Sequence, residues 1–303
     1  MVGAHVARRG LLLVTTSFPE RFDGSEAAGS FVADLATALA DELPVSIVAP
    51  GREPSTESWR PNVQIYRYFA PVQPLSSLRP YDPRHWGAIR ATLRNGAQAV
   101  RTAVQDGAIA HLFALWALPS GWWARQVARA TGIPYSVWML GSDVWTLGKI
   151  PLVRQLLATT MRDASHRFAD GLQLAEDSRA ICGRAVEFLP STRLIEGRRE
   201  SPLASAPPYR LLFLGRWHPN KGTDLLLDAL AALDDDDWSR VASIEIQGGG
   251  PLDALVRDKA AALIARGRPV VVGGFLDKAA ASLAFLRADW LVIPSRIESI
   301  PVV

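Results

Sequence analysis

Several features that mark common function classes are missing from this chain. It has a single cysteine, Cys182, which excludes an intramolecular disulfide and fits a reducing compartment such as the cytoplasm. In its context, SRAICGRA, that cysteine reads as a small packed residue rather than a nucleophile. No run of about 20 apolar residues occurs, so no membrane span is predicted. The nearest stretch, IAHLFALWALPSGWWA, is broken by His111, Pro119, Ser120 and Gly121. The GLLLVTT run after Arg8 and Arg9 is too short for a signal peptide, and no small-residue cleavage site follows it. A net charge of +3 is too small to argue for nucleic acid. Neither a Gly-x-Gly-x-x-Gly fingerprint nor a Gly-Lys-Ser/Thr loop is present, which argues against a dinucleotide dehydrogenase and a Walker-type NTPase. The consecutive aspartates Asp234 to Asp237 cannot all point at one centre, so they read as a solvated turn and no metal site is expected. No short repeat suggests a solenoid.

What remains is an ordinary globular composition, 49% apolar and 21% charged, in 303 residues, enough for two domains. Apolar runs alternate with helical patterns throughout, so the predicted class is α/β with largely parallel sheets. The stretch TRLIEGRRESPLASAPPY lacks periodicity and is the best boundary. The expected division is a first domain over 1–192, a linker over 193–208 and a second domain over 209–303.

The most informative stretch is YRLLFLGRWHPNKGTD, from Tyr209 to Asp224. An apolar strand, Leu211 to Leu214, ends at Gly215. Arg216 and Lys221 follow in a loop shaped by Pro219, Asn220 and Gly222. A helical pattern then starts, with Thr223 or Asp224 as the expected N-cap. Strand, turn, two cations and helix start form a phosphate-binding layout, because backbone N–H groups and the positive helix end favour an anion. An ordinary loop with solvated cations is the competing reading. A second strand, SIEIQ, runs into Gly248, Gly249 and Gly250, where backbone amides can meet a ligand closely. PVVVGGF and DWLVIPS are further strands, the last followed by Arg296 and Glu298.

In the first half, Leu11 to Thr16 is a predicted strand. A loop carrying Gly24, Ser25 and Gly29 leads into a helix whose buried stripe is expected at Phe31, Leu35, Leu39 and Leu43. PVSIVAPG, NVQIYRYF, AIAHLF, IPYSVWML and GLQLA are predicted as further strands, with LPSGWWARQVARATG as a helix. IPYSVWML ends in Gly141, Ser142 and Asp143. Polar residues just beyond a strand's carboxyl end are where open α/β sheets place ligands, so Asp143 is the main candidate here; capping the next helix is its bland alternative. His111, among apolar neighbours, reads as a satisfied core residue. A helix bearing Arg90, Arg94 and Arg101 with Trp86 nearby could make peripheral contact with the inner face of an anionic membrane, or be a solvated face.

These residues carry a resemblance. LFLGRWHPNKG, QGGGP and DWLVIPSRIES, in this order, resemble the donor-binding domain of retaining glycosyltransferases of family 4, which have the GT-B fold of two Rossmann-like domains facing a cleft. TTSFPERFDGSEAAGSFVADLATAL and WMLGSDVW resemble the first domain more loosely. The resemblance implies transfer of a sugar from a nucleotide-diphosphate sugar to a hydroxyl acceptor, glycan or lipid-linked, with retention and no metal or cofactor. It implies that Arg216 and Lys221 grip the donor diphosphate and that Glu298 sits near hydroxyls of the transferred sugar. Gly249 and Gly250 would line the nucleotide site, Gly274 and Phe275 would lie near the base, Gly24 and Gly29 would lie on the phosphate side, and Asp143 would lie near the reacting sugar or acceptor. Front-face attack, with the leaving phosphate taking the acceptor proton, is the mechanism such enzymes imply. Two departures stand out. Leu140 occupies a position where many relatives have His. The second glutamate of the family's Glu-x7-Glu motif would fall beyond Val303, so the chain is expected to be part of a longer product with an incomplete second domain, poor at donor binding by itself. A nucleotide-sugar epimerase on the same architecture and a non-catalytic nucleotide-sugar-binding subunit are the competing readings.

Overall fold

A computed structural model describes residues 10–22, 26, 29–72, 78, 82–200 and 202–301. The chain divides into two compact units: residues 1–20 with 28–192, and residues 21–27 with 193–303.

The first unit begins with β1 (Gly10–Val14), α1 (Ser30–Ala40), β2 (Val45–Gly51), β3 (Ser55–Arg60) and β4 (Val63–Phe69). It continues with α2 (Trp86–Asp106), β5 (Ile109–Leu115), α3 (Trp122–Thr131), β6 (Tyr135–Met139) and α4 (Ser142–Trp145). It closes with α5 (Pro151–Asp163), β7 (His166–Ala169), α6 (Leu172–Cys182) and β8 (Glu187–Phe188). The sheet order is β3-β4-β2-β1-β5-β6-β7-β8, parallel except for the antiparallel pair β3–β4. Side chains alternate across it, as the strand period requires. Leu12 and Val14 join the core cluster that also holds Val100, Trp123 and Leu157, while Leu13 joins the cluster with Val32, Ala36 and Ile47. Chain order reverses between β1 and β5, which makes the loops after these two strands the switch point of this sheet.

The second unit runs β9 (Tyr209–Arg216), α7 (Thr223–Ala232), α8 (Asp235–Ser239), β10 (Val241–Gly249), α9 (Asp253–Ala265), β11 (Val270–Val272), α10 (Lys278–Arg287) and β12 (Trp290–Leu291). Its strands pair in parallel in the order β11-β10-β9-β12, with the reversal between β9 and β12. Phe213, Leu227, Ile244, Ile246, Val256 and Leu263 lie at the centre of its core.

Several expectations need correcting. The buried face of α1 is Val32, Ala36 and Ala40, one position on from the expected stripe; Phe31, Leu35 and Leu39 pack at its margin. Small side chains let α1 lie close on the sheet, so the larger ones flank the contact. GLQLA is not a strand. The strand is β7, and Gly171, in extended conformation, precedes α6, whose buried residues Leu174, Ser178 and Cys182 recur every four. In LPSGWWARQVARATG the regular helix starts only at Trp122, after an irregular turn in which Leu118 has φ −135° and ψ 136°. The residue preceding α7 is Gly222, and no side chain caps that helix. Asp234 caps α8 through the Asp237 N–H, at 2.8 Å. The edge strand β3 was not foreseen. The described residues between 193 and 208 belong with the second unit: Glu196 N–H donates to Ser282 Oγ (3.2 Å), and Ala204 N–H donates to Asp289 Oδ1 (3.1 Å).

Candidate functional site

In the second unit, all four strands are parallel, so their carboxyl ends share one edge. Arg216 is the last residue of β9 and pairs in register with Gly249, the last residue of β10. The Arg216 side chain is exposed, and among the described residues its guanidinium has no hydrogen-bond or ion-pair partner. Space beside Gly249 is open: a Cβ built there would meet nothing within 4 Å, and the same holds at Gly274. Gly248 N–H donates to Gly274 O at 2.9 Å, tying the loop after β11 to the end of β10. Gly248 has φ +146°, and a Cβ there would lie 1.9 Å from Gly215 O, so only glycine lets β9 and β10 run this close to their ends. Phe275, next to Gly274, is 56% exposed.

The loop after β12 docks on the loop after β9. Arg296 makes a fork-to-fork pair with Asp224, Nη1 to Oδ1 and Nη2 to Oδ2, both 2.8 Å. Its Nη1 also donates to Pro219 O at 2.5 Å, and its backbone N–H donates to Asn220 O at 2.8 Å. The Asp224 carboxyl is held below its ordinary range, first by the hydrogen bonds from Arg296. Gly222, at φ +69°, lies against this loop: a Cβ would come within 2.0 Å of Pro294 O. The consequence is that Lys221 Nζ and Glu298 Oε2 form an ion pair, with Ser295 Oγ donating to the same oxygen at 3.3 Å. Arg216 thus ends one of the two strands that flank the reversal of this sheet, and Lys221 and Glu298 lie in the loops that follow them.

In the first unit, Asp143 is buried, 1% exposed. Its Oδ2 accepts the Ala117 N–H at 2.7 Å, and its Oδ1 accepts the N–H groups of Val144 (3.2 Å) and Leu140 (3.4 Å). The carboxylate therefore ties the turn after β5 to the turn after β6. Burial pushes its pKa up to about 6, against the opposing pull of those N–H donors. Its contacts are with backbone amides, so it acts on loop geometry in this structure. Gly29 precedes α1 and packs on the backbone of Ser17 and Phe18. Gly24 lies outside the described residues. His111 Nε2 is 2.7 Å from Ser136 Oγ, and burial lowers its pKa. Cys182 is buried. Among the described residues, no group of three or more His, Cys, Asp or Glu is placed to hold a metal, and no helix is long and apolar enough to cross a membrane.

Comparison with known proteins adds three observations. A family model described as glycosyl transferases group 1 matches residues 208–303. No curated protein matches the sequence. Solved structures match nearly the whole chain. Sucrose-phosphate synthase from Thermosynechococcus elongatus is 17% identical with a TM-score of 0.65, covering 97% of this chain and 77% of its own. Anabaena HepE in complex with UDP and glucose is 13% identical with a TM-score of 0.61, covering 96% and 76%. The catalytic domain of starch synthase IV from Arabidopsis thaliana, bound to ADP and acarbose, is 12% identical with a TM-score of 0.63, covering 97% and 80%.

The fold is GT-B.

In this GT-B chain the structure brings Arg216, Lys221, the glycine turn and Glu298, all named from the sequence, to the carboxyl edge of the second sheet; what holds them there was missed. Asp224 and Arg296 both lie in stretches singled out above, but they are 72 residues apart and nothing in the sequence pairs them. Arg67 was also missed. Its side chain, 5% exposed, donates to Glu57 Oε1 (3.0 Å), Pro50 O (3.2 Å) and Pro19 O (2.6 Å). It thereby anchors the loop that follows β1 at the switch point of the first sheet. An arginine in an otherwise apolar strand, RYF after IY, was the available signal.

Proposed function

We propose that this chain acts as a glycosyltransferase of the retaining, family 4 type, moving a sugar from a nucleoside-diphosphate sugar to a hydroxyl on a glycan or lipid-linked acceptor. The observation that carries the reading is the carboxyl edge of the second sheet. There an unpaired arginine stands in register beside a glycine with open space around it, one loop away from a lysine–glutamate pair. Two cations suit a diphosphate, and the planar arginine fork can donate to two phosphate oxygens at once.

In this reading Arg216 meets the diphosphate directly. Lys221 exchanges its Glu298 partner for phosphate, which frees the Glu298 carboxylate to accept hydrogen bonds from sugar hydroxyls. Both cations then offset the negative charge that grows on the leaving diphosphate as the glycosidic bond to phosphate breaks. The departing phosphate oxygen takes the acceptor proton, so the reaction needs no separate protein base. Gly249 and Gly250 let the nucleotide lie against the backbone, and the exposed Phe275 ring offers a face for the base. Asp143 serves by fixing the two turns at which the acceptor side is placed. Complexes of the neighbours with UDP and with ADP support a nucleoside diphosphate as the donor's leaving group.

The test is incubation with a panel of UDP-, GDP- and ADP-sugars, following release of the nucleoside diphosphate and the anomeric configuration of any product. Release of one diphosphate with retained configuration is expected. Binding without consumption would favour a non-catalytic nucleotide-sugar subunit, and failure to bind or consume any of them, both by this chain and by the longer product expected from its sequence, would overturn the reading.

A further inference from the structure

Helix α2 has two apolar sides, and only one is spent on the core. Thr92, Gly96, Val100 and Ala103 are buried under it. At Gly96 the backbone lies directly against the Trp123 indole, where a Cβ would sit 2.3 Å from the ring, so α2 and α3 approach closely at that point. Toward the start of α2 the gap between the helices opens. A second row, Ile89, Leu93 and Ala97, spaced by four residues, faces that opening. Together with Trp86 and with Trp122 and Trp123 of α3 it walls a groove of about 540 Å³. Trp86 is 59% exposed and Leu93 39%, large apolar surfaces for a soluble face.

The charge around this groove has one sign. Arg90 and Arg94 line it, one helical turn apart, and among the described residues neither has an ion-pair partner. Arg101 follows at a spacing of seven, and α2 carries no acidic residue before Asp106. On the α3 side, Arg125 stacks over Trp122 at 5.1 Å, but its charge is spent on Asp163, which also meets Arg129 at 3.5 Å. Among the described residues, no carboxylate lines the groove.

We propose that this groove docks the chain on the surface of an anionic phospholipid bilayer, with Trp86 and Leu93 entering the acyl boundary and Arg90 and Arg94 paired with lipid phosphates. An aromatic and aliphatic floor under two free guanidinium groups needs an occupant that is apolar and anionic within one helical turn, and a bilayer interface supplies both. A small soluble anion would satisfy the arginines and leave the floor in water. A second copy packed through the same surface would bring two basic grooves together, with no carboxylate among their described lining residues to pair the arginines. The site is separate from the nucleotide edge of the second unit, so it stands or falls independently of the transferase reading.

The experiment is co-sedimentation of the chain with vesicles of phosphatidylcholine alone and of phosphatidylcholine with phosphatidylglycerol, at low and high salt. Bromine-labelled lipid acyl chains report insertion by quenching tryptophan fluorescence. The expected result is binding to the anionic vesicles only, weakened by salt, with quenching that falls in Trp86→Phe. Arg90→Ala/Arg94→Ala should bind roughly 30-fold more weakly, two charges' worth of surface attraction, and Leu93→Asp should lose the quenching. All three variants change exposed side chains and should keep the wild-type circular dichroism. Equal binding to neutral and anionic vesicles, no binding to either, full binding by the double variant, or binding without quenching would each overturn the proposal. So would a concentration-dependent dimer that the double variant strengthens.

Discussion

Replacing Asp143 by Asn should change how stability depends on pH, in a direction fixed by its burial. The carboxyl is 1% exposed and its pKa rises from 3.8 to about 6. In the folded chain it therefore holds its proton more tightly than in the unfolded chain. Where the folded state binds more protons, stability falls as pH rises. The contribution is fully present below about pH 4, fades as pH climbs through the folded value near 6, and is gone above it. A shift of this size corresponds to about 3 kcal/mol in all, of which about 2 kcal/mol falls between roughly pH 4.5 and pH 7.5. Asn cannot titrate. It keeps one oxygen for the N–H donors but turns an NH₂ toward another, so its cost of about 1–3 kcal/mol is the same at both pH values. The assay is urea unfolding of wild type and Asp143→Asn at the two pH values, with the carbon resonance of the carboxyl followed by NMR. The wild-type loss from acid to neutral pH should exceed that of the variant by about 2 kcal/mol. Parallel pH profiles, or a carboxyl that titrates at its ordinary value, would refute the burial argument and with it the view that Asp143 acts on the loops from the interior.

Other changes probe the second unit. Gly222→Ala places a Cβ at φ +69° and 2.0 Å from Pro294 O; it should destabilise that unit by about 2–4 kcal/mol, the sum of left-handed backbone strain and overpacking, read as a lower thermal midpoint. Arg296→Ala removes the fork on Asp224 and the side-chain bond to Pro219 O in the loop after β9, leaving the backbone bond to Asn220 O. Because the pair is partly exposed, stability should drop only slightly. Nucleoside diphosphate affinity should nonetheless weaken roughly threefold to tenfold through the misplaced Lys221 loop. Arg296→Lys should not restore it, since an ammonium cannot reproduce the two-pronged contact. Affinity equal to wild type in both variants would show that the bridge does not position the site.

The parts of the site that could be read from sequence share one property: each follows directly on an apolar run. Arg216 after LLFLG, Gly248 to Gly250 after SIEIQ and Glu298 after DWLVIPS needed only the rule that ligands gather beyond strand ends. What escaped depended on partners distant in sequence. Gly222 looks like any turn glycine until Pro294 is placed against it, and Asp224 looks like a helix cap until Arg296 arrives. The strand β3, STESWR, is polar and exposed at the sheet edge, so it has no apolar signature. GLQLA misled for the opposite reason: Leu172 is 69% exposed, an apolar residue at a helix start that counted toward a strand it does not form. In α1 the small residues Ala36 and Ala40 hold the contact, and the eye follows the larger leucines beside them.

In the proposed function Arg216 and Lys221 form the diphosphate clamp of a donor site. Isothermal titration of the chain with UDP, GDP and ADP tests it most directly, repeated for Arg216→Ala and Lys221→Ala. The nucleotide that binds wild type should lose about tenfold to a hundredfold in affinity when Arg216 is removed, the worth of one charge-assisted hydrogen-bonded contact of about 1.5–3 kcal/mol. The loss should be smaller for Lys221, whose charge is already engaged by Glu298 before the ligand arrives. Undiminished binding in Arg216→Ala would contradict it.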